Sequence, residues 1–282
     1  MRISNDKVTL APTDLSNYLG CRHLVSQDLT ALKAGKKRPA VFGPMIDALR
    51  ERGMAHEKAY LSTLENEGLS ISTGPDEEER TAGMERTKAA MEKGVDVIYQ
   101  AALSDETWSG YADFLIKAEM PSDLGEWSYE PVDTKLAQDT KAGTILQLCV
   151  YAYLLGKLQG KVPERMHVVT PKDGNTLETY RTDDYGAYFR LLERGIDSFI
   201  LDPAKTYPEM VSHCDICAWW DHCEKRRRDD DHLCYVASIG RNQIQFLKDI
   251  GIERLEQLAV LDDVPRPTSG SIESLTRVRD QA

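Results

Sequence analysis

Apolar positions recur at helical spacing over some segments and at strand spacing over others, and the changes of period mark out the elements. Helical spacing covers about 21–34, 43–67 and 76–93, and it returns over Ala142–Leu158 and Asp183–Leu201. Between these lie runs that read as strands: Val95–Leu103, Thr107–Lys117 and Trp127–Lys135. Arg165–Thr170 and Leu177–Arg181 read as a hairpin across Lys172–Asn175. Leu10-Ala-Pro-Thr13-Asp14 reads as a strand end or turn opening a helix, with Thr13 as N-cap. Three consecutive strands, a helix and two more strands predict an α/β core, a mixed sheet flanked by helices. Beyond about 232 the pattern changes to two short helices, Ser238–Ile252 and Leu255–Ala259, joined at Gly251. Pro265–Ala282 is turn-rich and polar and is expected to be poorly ordered.

The length of 282 residues suits one main domain with an appendage. Apolar residues make up 41% and charged residues 29%, an ordinary balance for a soluble protein. No apolar run reaches the ~18 residues of a membrane span. Met1–Val8 lacks the apolar core of a secretion signal, so the expectation is a cytoplasmic protein without a membrane partner. The net charge of −11 argues against a surface broadly coated for nucleic acid, though a local basic groove would suffice. Candidate basic positions are Lys33–Arg38, Lys141 and Lys225–Arg228, the last followed by Asp229–Asp231 as in a solvated linker.

The chemistry concentrates at Asp133-Thr134-Lys135, the end of a strand-like run. Side chains two apart on a strand share a face, so Asp133 and Lys135 project together and Thr134 points away. The same parity puts Glu130 on the opposite face. An isolated Asp-x-Lys pair is most simply an exposed ion pair worth under about 1 kcal/mol. Its neighbours give it a second reading. Asp113 closes the preceding strand-like run, and with Asp133 it could hold a hard cation while Lys135 orients a bound water. His56 lies on a helix ahead of the strands, where an interface histidine is the plainer assignment. Gln147 and Tyr151, i and i+4, share one face of a later helix, and Tyr151 could simply be core. Glu57, beside His56, reads as structural.

Six cysteines form a separate pattern. Cys214, Cys217 and Cys223 cluster, and Cys21 stands near the start of the chain. In a chain with no disulfide framework, such a cluster suggests a metal centre. Four thiolates accept zinc or an iron–sulfur cluster, and spacing does not choose between them. His213 and His222 flank the cluster as alternative zinc ligands or surface residues. Cys149 reads as a small core residue and Cys234 as a free thiol.

The order helix His56, strand Asp113, strand Asp133-Thr134-Lys135, helix Gln147 and Tyr151 resembles the RecB-like branch of the PD-(D/E)XK nucleases over about residues 10–225. The cysteine layout is similar to the iron–sulfur staple of CRISPR adaptation and AddAB-type nucleases. This resemblance implies a restriction-endonuclease-like nuclease domain over 1–230; separately, the helices joined at Gly251 look like a helix-hairpin-helix element over 231–264, and the composition of 265–282 reads as a disordered tail. It implies a metal-dependent deoxyribonuclease, an exonuclease or single-strand-acting enzyme of DNA repair type. Magnesium or manganese would lie on His56, Asp113, Asp133 and the Thr134 carbonyl. Asp113, Asp133, Lys135, Gln147 and Tyr151 would be catalytic, with a 4Fe-4S cluster on Cys21, Cys214, Cys217 and Cys223. The implied partners are single-stranded DNA or DNA ends and a helicase in cis or in trans. Two other classes stay open: a non-catalytic nucleic-acid- or partner-binding module carrying zinc or iron–sulfur, and a redox or metal sensor.

Overall fold

The computed structural model describes residues 1–4, 7–40, 43–74, 79–268 and 270–282. It divides into two units, Met1–Thr206 and Tyr207–Ala282. The expected helix over 76–93 is seen from Arg80, and its first three positions lie outside the described residues.

The first unit is built on a sheet of six strands, β3 (Ile71–Ser72), β4 (Val97–Ser104), β5 (Ser109–Ala118), β6 (Ser128–Thr134), β7 (Arg165–Thr170) and β8 (Thr176–Arg181), in that spatial order. Its parallel pairs are β3 with β4 and β6 with β7, and the others are antiparallel. Parallel neighbours need a crossover, and the helical segments supply it. The first crossover is α4 (Arg80–Glu92) and the second is α5 (Ala142–Gln159). The fold is therefore α/β, a mixed six-stranded sheet flanked by helices. A short antiparallel pair, β1 (Arg2–Ser4) and β2 (Lys7–Thr9), precedes it. Leu10 then bridges to Trp108 at the start of β5.

The remaining helices of this unit are α1 (Pro12–Gly20), α2 (Arg22–Lys33), α3 (Pro44–Asn66) and α6 (Thr182–Leu201). One sheet face packs Ile98, Leu115 and Val168 against Leu148 and Leu155 of α5 and Ile196 of α6. The other packs Val97, Phe114, Val132 and Val169 against Leu64 of α3. Helix α1 starts one residue ahead of the expected Thr13 cap. Pro12 takes the first turn, where a missing N–H costs nothing, and the Asp14 carboxylate accepts the Ala11 N–H at 2.7 Å.

The second unit holds α7 (Trp220–Asp229) and, around Leu233, Val236, Leu247, Leu258, Leu275 and Val278, the helices α8 (Arg241–Asp249), α9 (Leu255–Ala259) and α10 (Ile272–Arg279). Helix α8 ends where expected. Gly251 takes a left-handed φ of +85°, its N–H donates to Lys248, and Ile252 donates back to Leu247. Two expectations differ. The run Lys225–Arg228 is helix rather than linker, since Lys225, Arg226 and Arg228 pair along α7 with Asp229, Asp230 and Glu224. The tail expected to lack order forms α10, because Leu275 and Val278 find a core to enter.

Candidate functional site

The first unit's charged cluster lies where the sheet departs from regularity. Opposite residues pair along β4 and β5, but Gln100 and Asp113, which face one another in register, drop out of the ladder. Gln100 sits at φ +48°, a conformation costing of order 1–3 kcal/mol outside glycine. Its effect is visible in the packing. Ile98 and Ala101 enter the same core, as do Ala112 and Leu115, so alternation resets at this point on both strands. Asp113 also leaves the ladder with β6, whose last pair is Phe114 with Val132. Its carboxylate replaces the missing backbone partner, for Oδ2 accepts from the Thr134 N–H at 2.8 Å and its hydroxyl at 2.9 Å. Thr134, expected to point away, is therefore what holds Asp113.

Asp133 is buried, and Lys135 Nζ lies 2.6 Å from its Oδ2. That oxygen accepts no well-directed hydrogen bond, so the contact is one of charge. Burial pushes the Asp133 carboxyl up to about 7, Lys135 opposes the rise and Asp113 adds to it. Burial alone would depress Lys135, but Asp133 and then Asp113 outweigh it and leave its pKa raised. His56 donates from Nε2 to the Val169 carbonyl at 3.3 Å, the same carbonyl that accepts the Lys135 N–H at 3.0 Å.

Glu57, set aside from the sequence, belongs to the cluster. Gln100 Nε2 bonds it directly, and burial followed by Asp113 raises its pKa. Only the distortion at Gln100 turns that amide toward α3, and nothing in the local pattern announces it. Glu130 is engaged elsewhere, accepting from His167 Nε2 at 2.9 Å, while His167 Nδ1 meets Thr179 at 3.0 Å. Tyr151 is buried and donates to the Tyr111 carbonyl at 2.6 Å, and Gln147 is half-buried one turn earlier on the same helix. Burial, then Asp133 and Asp113, raise the Tyr151 pKa, while Arg80 lowers it, which places all four within electrostatic reach.

Two arginines absent from the sequence reading complete this side. Arg2 donates to Ser109 Oγ at 3.1 Å, and Arg80 donates to the same oxygen at 2.6 Å. Arg80 also lies over the Tyr111 ring, 4.8 Å from its centroid. Among the described residues, neither arginine has a carboxylate partner. Gly110 keeps the region closed. A Cβ there would lie 2.8 Å from Pro12 Cδ and 3.1 Å from the Tyr151 hydroxyl. Gly110→Ala is expected to cost about 1–3 kcal/mol by overpacking. It should also loosen the Tyr151 bond, read by chemical denaturation and by the Tyr151 ring resonances. An unchanged denaturation midpoint would show that the proline ring yields freely.

The metal expectations are corrected by this geometry. Among the described residues, no group of three or more His, Cys, Asp and Glu side chains is arranged to hold a metal ion. Lys135 Nζ lies 2.6 Å from Asp133 Oδ2, putting an ammonium where magnesium or manganese would need that carboxylate. Asp113 is committed to Thr134, and His56 to Val169. Thus His56, Asp113, Asp133 and the Thr134 carbonyl are not a metal site. The cysteines are equally dispersed in role. Cys21 Sγ accepts the Leu24 N–H at the start of α2, and Cys214 Sγ accepts the Val211 N–H. Cys223 is buried on α7, Cys217 ends a short 3-10 turn, and no disulfide joins any of the six cysteines among the described residues. A 4Fe-4S or zinc centre on Cys21, Cys214, Cys217 and Cys223 is therefore unsupported, and with it the metal-carrying module and the metal sensor. The assignment as a RecB-like metal-dependent nuclease falls for the same reason.

No family model and no curated protein matches the chain. Among solved structures, one titled "Crystal structure of SSO0001" aligns over 78% of this chain and 88% of its own, with 14% identity and a TM-score of 0.38. A likeness that loose carries no functional argument.

Proposed function

We propose that the Met1–Thr206 unit binds nucleic acid, specifically DNA as a single strand or a strand end. Its phosphates would meet Arg2 and Arg80 at Ser109, and Lys135 beside the carboxylate cluster. The observation that carries this reading is the pair of arginines. In a chain of net charge −11 the exposed Arg2 and half-buried Arg80 converge on one hydroxyl without a described carboxylate partner, a local concentration of positive charge that an anion can reach. Lys135 adds a further cation, and its compensation by Asp133 changes with pH because burial pushes that carboxyl up to about 7. The mixed sheet supports a restriction-endonuclease-like reading of the fold, which by itself implies no activity. Phosphate contacts give affinity that falls with salt and carry no sequence preference.

The test is fluorescence anisotropy of a labelled single-stranded oligonucleotide across a salt series, without added metal. Wild-type protein is expected to bind at low salt. Lys135→Ala is expected to weaken binding about tenfold and to lower the slope of log affinity against log salt by about 0.7. Absence of binding, or equal affinity and slope in the variant, overturns the reading.

A further inference from the structure

Resting on the nucleic-acid reading, we infer that Arg2, Arg80 and the Ser109 hydroxyl form a clamp for the terminal phosphate of a strand. An internal phosphodiester is the weaker fit. Ser109 is the meeting point. Its side chain is buried, and its oxygen accepts from both guanidinium groups. A hydroxyl has two acceptor lone pairs and one donor hydrogen. With both lone pairs taken, the hydrogen is left to donate, and among the described residues it meets no acceptor. Three donors thus converge on one place: two guanidinium forks and one hydroxyl.

The count of charges points the same way. Two cations drawn to one oxygen repel each other, and Arg2 shows it: burial first and Arg80 second lower its pKa. An internal phosphodiester brings one negative charge. A terminal phosphomonoester brings about 1.5 to 2 at pH 7 and three acceptor oxygens, which matches two cations and three donors. Guanidinium groups are also the side chains best shaped to take phosphate oxygens in pairs.

The clamp is held from several directions. The Met1 nitrogen lies 2.6 Å from the buried Asp14 carboxylate, which fixes the backbone leading into Arg2. Ser109 donates its N–H to Leu10. Arg80 opens α4, so the positive end of that helix dipole adds to the field, and the Tyr111 ring beneath it sets the plane of its guanidinium. Tyr151 fixes the Tyr111 carbonyl in turn. Tyr151 also feels the charges of Asp133, Asp113 and Arg80, so it links the clamp to the carboxylate cluster, toward which the following nucleotides of an end-bound strand would run.

The experiment compares one single-stranded oligonucleotide with a 5′-phosphate, with a 3′-phosphate and with hydroxyl ends, by competition anisotropy. Wild-type protein is expected to prefer one phosphorylated end by about tenfold. Arg80→Gln, Arg2→Gln and Ser109→Ala are expected to bring that ratio near one. Lys135→Ala should weaken every oligonucleotide alike and keep the ratio. The ratio, rather than total affinity, is the readout, so a partly destabilised variant remains interpretable. Arg80→Lys serves as a second variant that keeps charge and loses the fork, with an intermediate ratio expected. A wild-type ratio of one with strand binding intact overturns the clamp and leaves the nucleic-acid reading standing. The same ratio together with inorganic phosphate binding, seen by phosphorus NMR, also overturns it and assigns the site to free phosphate. No binding of any oligonucleotide removes both.

Discussion

Asp133→Asn is expected to raise the stability of the Met1–Thr206 unit at pH 8 and to leave it nearly unchanged at pH 4. The sign follows from linkage. The folded carboxyl titrates at about 7, above the ~3.9 of an unfolded aspartate. The folded protein therefore holds this proton more tightly than the unfolded chain, and ionising Asp133 costs stability. The cost is absent below the unfolded value, grows between about pH 4 and pH 7, and is complete above. A rise of that size corresponds to about 4 kcal/mol as an upper bound. Lys135, deprived of its partner, returns part of that gain. Its side chain is one-third exposed, so it can reach water and the loss is modest. Chemical denaturation of wild type and variant at pH 4, 6 and 8 measures the difference. A variant less stable than wild type at pH 8 would show that the ion pair outweighs the cost of burying the carboxylate.

Arg227→Ala is expected to cost about 3–5 kcal/mol in the Tyr207–Ala282 unit. Arg227 is fully buried. One end donates to the Pro208 carbonyl at 3.0 Å, the other lies 3.3 Å from Glu224, and the guanidinium covers the Trp220 ring at 5.0 Å. Glu224 also accepts from Arg228 and from the Tyr235 hydroxyl. Removing Arg227 opens a cavity, frees a buried carbonyl and takes one cation from this network. Hydrogen exchange of the α8 and α10 amides is the direct readout, and they should lose protection. Arg227→Met keeps the length and the ring contact without the charge and is expected to cost less. Equal protection in wild type and Arg227→Ala would place the second unit's stability wholly in Leu233, Leu247, Leu258 and Leu275.

The regular parts of the first unit were legible because their signals are local. The apolar run of Ala142–Gln159 and the shorter apolar run within Val97–Ser104 give helix and strand without reference to anything distant. The proximity of Asp113, Asp133 and Lys135 followed from strand parity and order. What the cluster is made for did not follow. Parity placed Lys135 beside Asp133 but could not show that Asp133 is buried with the ammonium as its charge partner, or that Thr134 holds Asp113. Glu57 and Gln100 meet only because Gln100 takes a left-handed conformation, a tertiary constraint that no propensity reports. Arg2 and Arg80 lie far apart in sequence and converge through the Leu10–Trp108 bridge and the start of α4. The cysteine spacing misled for a related reason. The same short spacings suit thiols that begin helices and turns, as Cys21 and Cys214 do. The tail over 265–282 looked polar by composition, yet Leu275 and Val278 at helical spacing were enough to seat α10.

The central claim is that a strand's phosphates meet cations, one of which, Lys135, is compensated by a buried carboxyl. Affinity for a hydroxyl-ended single-stranded oligonucleotide, measured from pH 6 to pH 8 at fixed salt in wild type and Asp133→Asn, tests it most directly. Wild-type affinity is expected to fall several-fold as pH rises through about 7, because ionised Asp133 then compensates Lys135. Asp133→Asn is expected to bind tightly and evenly across the range. A flat wild-type profile, or the same fall in both proteins, would contradict the account.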